Sequence, residues 1–181
     1  GKIDFHLNLL FSYLESEYTD EEYLVCLVSD HGVGYYGNQS VKLDRNETHT
    51  AFMIRGGEVP AAVSHELTQN IDLLPTMLHF AGLNAEAKID GRLPAVFGNE
   101  PPRETVASEI LHPGTPYLAS VKDKEFDFRI ESIKPVDDNG SFNLEDCELS
   151  LFQGYDYVTD VKSNYTDIVE RYKKIAFALQ Q

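Results

Sequence analysis

The apolar run from Tyr23 to Val28, "YLVCLV", stops abruptly in "SDHG", and apolar character returns only at Ala51. An unbroken run of this length reads as a strand buried on both faces, the kind found in parallel sheets. The loop leaving the carboxyl end of such a strand is where open α/β sheets hold their ligands. Asp30 and His31 stand at that point, and Gly32 gives the chain freedom to bend sharply behind them. Both side chains could then turn toward one ion, since a carboxylate and an imidazole are an ordinary beginning of a metal site. A plainer reading stands beside it, in which Asp30 caps the next turn and His31 rests on the surface. The connection of about twenty residues that follows is long for a compact domain, and long connections favour function over simple linkage.

The rest of the chain sets the frame. Ile3, Leu7, Leu10 and Leu14 recur at helical spacing and predict an amphipathic helix over residues 3–16, ended by the acidic turn "YTDEEY". Ala51–Ile54 predict a second strand beside the first. "VSHELTQNIDLLPTMLHFAGL" predicts a short helix, a cap region at Asp72, a second helix opening near Pro75 and a stop at Gly82. His65 and His79 fall on these stretches and read as structural. From about Arg103 the texture changes to β-prone pieces, "TVASEI", "YLASVK", "EFDFRIES" and "ELSLFQGYDYV", separated by Gly, Pro, Asp and Asn. A last amphipathic stretch predicts a helix near Asp167–Leu179. The expected fold class is α/β: a partial parallel sheet with helices over residues 1–105, then a small antiparallel sheet with a C-terminal helix over 106–181.

Composition narrows the partners. Fifteen basic against 30 acidic residues leave a net charge of −15, which repels nucleic acid and attracts cations. No run approaches the length of a membrane span. Cys26 and Cys147 fit neither a metal spacing nor a disulfide framework. N-x-S/T sequons stand at Asn38, Asn46, Asn139 and Asn164. Two of them crowd the loop behind Asp30 and His31, where a glycan would obstruct a site, so polar-loop composition accounts for them. Bacterial cytoplasm, periplasm and secretion all stay open as compartments, and nothing reports the oligomeric state.

Taken in order, "IDFHLNLLFSYLE", "YLVCLVSDHG", "AFMIRGG", "NIDLLPTMLHFAGL", "IDGRLPAVFGNEPPRE" and "YDYVTDVKSN" resemble successive landmarks in the C-terminal part of the sulfatase family, within the alkaline phosphatase superfamily. The resemblance implies that Asp30 and His31 are metal ligands, for calcium first and for zinc or manganese as alternatives. It implies that Lys42, in the loop that follows, contacts the sulfate group, a role that Arg45 nearby could share. His49 opens the second strand and either faces the site as proton donor to a leaving group or is a strand-end histidine. His112, in "ILHPGTPY", is a secondary candidate.

The departures are equally specific. The family's nucleophile motif, C/S-x-P-x-R, and its further acidic ligands are not in this sequence. The G-K…Y-E pattern around Lys42 is replaced by Asp44, Arg45 and Asn46, and "YDYVTDVKSN" lacks the family's proline. The expected function is therefore that of a fragment of a metal-dependent hydrolase of sulfate esters, itself inactive. The rivals are a phosphatase, phosphodiesterase or phosphoethanolamine transferase of the same superfamily, acting on phosphate esters, and a non-catalytic binding module with the same fold.

Overall fold

The computed structural model describes residues 1–33, 42–57, 59–84, 88–155 and 157–179. Contacts divide the chain into two compact units: Gly1–Asp30 with Ala51–Pro102, and His31–Thr50 with Arg103–Gln181. The segment His31–Thr50 thus groups with the C-terminal unit, although it lies well before residue 105 in the sequence.

In the first unit, helix α1 covers Lys2–Glu17 and is followed by strand β1, Leu24–Val28. The turn between them is tied by the Glu22 carboxylate, which accepts from the Thr19 amide at 2.8 Å and from its hydroxyl at 3.0 Å. No residue of α1 is buried. Strand β2, Phe52–Gly56, pairs with β1 antiparallel, with Val28 opposite Phe52 and Leu24 opposite Gly56. The expected parallel arrangement is corrected here, and the connection explains why. Ser29 N–H donates to the Ala51 carbonyl at 3.2 Å and Ala51 N–H to Ser29 Oγ at 2.8 Å. The loop therefore closes on itself and sends β2 back along β1, whereas a parallel partner needs a crossover to the other end of the strand. Nor is β1 buried on both faces: its residues are half-buried and Val28 is 43% exposed.

The expected helix in "VSHELTQ" does not form. Glu66 instead accepts from the amides of Ala95 and Val96, at 2.8 and 3.2 Å. His65 and His79 are both exposed. A single 3-10 turn at Asn70–Asp72 leads into helix α3, Leu73–Phe80. Gly82, at φ 66°, ends it in a Schellman motif, with Leu83 N–H on the Leu78 carbonyl at 2.9 Å and Gly82 N–H on that of His79 at 3.1 Å.

The second unit is built on a four-stranded antiparallel meander. Helix α2 is the short Arg45–Thr48, followed after β2 and α3 by strands β3 (Val106–Ile110), β4 (Pro116–Lys122), β5 (Phe126–Pro135) and β6 (Cys147–Gln153). Their spatial order is their chain order. The expected antiparallel sheet and terminal helix are present, with α4 at Thr166–Ala178.

Alternation sorts the strand residues into two faces. Tyr117, Ala119 and Val121 of β4 join Phe126, Phe128 and Ile130 of β5, Leu151 of β6 and Tyr172 and Ala176 of α4 in one buried core. Tyr172 and Ala176 stand one helical turn apart, so a single stripe of α4 covers the sheet. The intervening positions, Ser120 and Lys122 of β4 and Asp127 and Arg129 of β5, are also buried but polar. Asp123 serves the β4–β5 turn and the helix together: it accepts from the Phe126 amide at 2.7 Å and from the Tyr172 hydroxyl. Burial and the Asp123 carboxylate push the Tyr172 hydroxyl above its ordinary range.

Candidate active-site loop

Asp30 closes the first unit at the carboxyl end of β1, and its side chain is exposed. Its backbone is held by Asn70, whose Nδ2 donates to the carbonyls of Ser29 at 2.9 Å and Asp30 at 3.1 Å. Asn70 in turn is positioned by the 3-10 turn ahead of α3. Asp72 in that turn is 1% exposed and accepts from the amides of Gln69 at 2.9 Å and Arg92 at 3.0 Å. The sequence marks Asp72 as a cap. The part played by Asn70 leaves no periodic signature and is missed.

His31 opens the second unit and is exposed. Its Nδ1 lies 2.6 Å from the Gly32 carbonyl, so in the neutral ring Nδ1 carries the proton and Nε2 the lone pair. That is the tautomer a metal-ligating histidine adopts when its other nitrogen is held by a backbone carbonyl. Gly32 N–H donates to the Glu47 carbonyl at 2.6 Å. A Cβ at Gly32 would sit 1.9 Å from the Asn46 carbonyl oxygen and 2.8 Å from that of His49. Glycine is needed there for close approach of two backbones, not for the sharp bend expected from the sequence.

That approach sets the backbone of His49 against the bend after His31, while the His49 side chain is exposed. Lys42 is exposed as well and is held differently. Its carbonyl accepts from Arg129 Nη1 at 2.8 Å, and the neighbouring Leu43 carbonyl accepts from Arg129 Nη2 at 2.9 Å and from Lys122 Nζ. Lys122 Nζ also donates to Thr48 Oγ1 at 2.7 Å, and Asp44 caps α2 through the Glu47 amide at 2.8 Å. Burial lowers the Lys122 ammonium from the usual lysine range, with Asp127 opposing the shift.

Arg45 turns its guanidinium over the Tyr155 ring, 5.6 Å from the centroid. His112 is exposed in a turn, with Nδ1 2.8 Å from the Pro113 carbonyl. The sequons at Asn46, Asn139 and Asn164 are exposed; Asn38 lies outside the described residues.

Among the described residues no three His, Cys, Asp or Glu side chains converge as a metal site. Asp30 and His31 fit a divalent cation in donor chemistry, a hard carboxylate and an imidazole whose tautomer is set, but two donors fall short of the six to eight that calcium takes. No described helix is long and apolar enough to cross a membrane.

The family model described as Sulfatase matches residues 1–83. A solved structure described as BT4656 in complex with its substrate D-glucosamine-2-N,6-O-disulfate superposes with a TM-score of 0.72 at 16% identity. The match covers 98% of this chain and 38% of that one, so the chain spans well under half the length of the protein it resembles.

Proposed function

We propose that this chain is the C-terminal part of a metal-dependent hydrolase of sulfate esters, and that its nucleophile and remaining metal ligands are supplied by residues outside these 181. The observation that carries the reading is the family match over 1–83, which spans β1 and the exposed Asp30 at its carboxyl end. The exposed apolar side chains of the first unit support the partial status. Ile3, Phe5, Leu9 and Tyr13 of α1 and Met53 of β2 are each at least half exposed, and a two-stranded sheet does not stand alone.

In this reading Asp30 and His31 give two ligands to a divalent cation, most simply calcium. When bound there, such a cation would supply Lewis-acid chemistry at the ester. Lys42 neutralises anionic oxygens as charge builds on the leaving group. His49 delivers a proton to the departing alkoxide. The substrate named for BT4656 makes a sulfated amino sugar the first ester to try.

The test is turnover of an aryl sulfate and of a sulfated glucosamine by the full-length protein that carries this chain. Substituting Asp30→Ala there should lower kcat/KM by about 10²–10³, the cost of losing one strong electrostatic contact in a catalytic site. Turnover of aryl phosphate in preference to aryl sulfate, or full activity of the Asp30→Ala protein, would contradict the proposal.

A further inference from the structure

The polar face of the meander holds two buried cations around one carboxylate. Lys122 Nζ and Arg129 Nη2 approach Asp127 Oδ2 at 3.6 and 3.3 Å, and Ser120 Oγ donates to Oδ1 at 2.6 Å. One carboxylate cannot balance two cations, and buried charge is strongly unfavourable unless further partners take it up. Here the surplus is directed at α2 and the turn ahead of it, through the carbonyls of Lys42 and Leu43 and the hydroxyl of Thr48.

Leu43 sits at φ 55° and is 6% exposed, a left-handed backbone that a residue with a Cβ keeps only when its surroundings over-determine it. Apolar side chains of similar volume would hold a sheet as well as such a network does, so stability alone does not account for it. Its bonds converge instead on the backbone from which the exposed Lys42 side chain leaves.

We propose that Lys122 and Arg129 are positioning residues. Together they hold the Lys42–Thr48 turn in one conformation, so that the Lys42 ammonium meets the sulfate oxygens of an ester at a fixed place. The proposal rests on the sulfatase reading above, because Lys42 is given its role there. It adds the device that keeps Lys42 in place and assigns it to strands far from the loop in sequence.

The test is a mutant cycle in the full-length protein with an aryl sulfate as substrate. Lys122→Met and Arg129→Lys should each lower kcat/KM about tenfold in the parent, and by less than about twofold when Lys42→Ala is already present. Equal losses in both backgrounds would overturn the proposal, because a merely structural role would weaken either protein alike. Arg129→Lys keeps the charge and loses only the forked reach to two carbonyls, so it remains informative if Lys122→Met fails to fold.

A second measurement uses the 181-residue chain alone. Amides of Leu43–His49 should exchange at least about tenfold faster in Arg129→Lys while those of Tyr117–Val121 stay unchanged; an unaltered loop would overturn the clamp. If the parent full-length protein shows no sulfate turnover, the sulfatase reading fails, and the exchange result still decides whether the clamp exists.

Discussion

The two units of the chain are opposites in how they treat apolar residues. Apart from Pro94, every buried apolar side chain among the described residues belongs to the second unit, from Leu43 through Tyr117, Phe128 and Leu151 to Tyr172 and Ala176. The side chains of Asp72 and Thr76 are buried in the first, and both are polar, while Ile3, Phe5, Leu9, Val28, Met53 and Leu74 lie substantially exposed. The second unit thus owns a finished core of sheet and helix. The first leaves apolar faces exposed, and it is the one that holds most of the family-matched segment and Asp30.

The contrast breaks most visibly under substitution. Asp127→Ala should be among the most damaging changes, about 3–5 kcal/mol by chemical denaturation, because it leaves Lys122 and Arg129 buried without their carboxylate. Phe128→Ala, at a fully buried position, should cost about as much through the cavity it opens. A loss below about 1 kcal/mol at either position would mean that the second unit is not the finished core described.

Tyr172 sharpens the contrast through pH. Its hydroxyl is raised by burial and Asp123, so the folded form keeps the proton after the unfolded tyrosine, ordinarily near pKa 10, has released it. The stability it contributes is fully present below pH 10 and declines as pH rises beyond. Tyr172→Phe should flatten that decline in thermal unfolding measured from about pH 9 upward; an unchanged profile would remove the assigned role of the Asp123 bond. Leu9→Ala in α1, half exposed already, should change stability by no more than about 0.5 kcal/mol. A cost near that of Phe128→Ala would erase the difference between the units.

Much of the secondary structure was legible in the residues. Strong periodicity located α1, the four strands of the meander and α4, and glycine chemistry located the end of α3 at Gly82. Strand direction was not legible, because an unbroken apolar run says that a strand is apolar and nothing about its partner; the Ser29–Ala51 bonds that turn β2 back are backbone events. The helix expected around His65 failed because a tertiary contact, Glu66 on the 95–96 backbone, overrode a local pattern.

For the candidate site, Asp30, His31 and His49 stood out by type and position, and Lys42 through the family resemblance. The residues that hold their backbones did not: Asn70, Glu47, Lys122 and Arg129 act across long sequence separations. A faint signal existed in Ser120, Lys122, Asp127 and Arg129, polar at every second place along two strongly apolar strands. Such alternation ordinarily marks a solvated face, and only the structure shows that it is covered.

The most direct test of the proposal that the metal site takes ligands from outside these residues is a calorimetric titration of the 181-residue chain with calcium. Asp30 and His31 supply two donors where firm binding needs about six to eight, so the account predicts a dissociation constant of about 10⁻³ M or weaker. A micromolar constant that is lost in Asp30→Ala would contradict it, and would place a complete metal site within these residues.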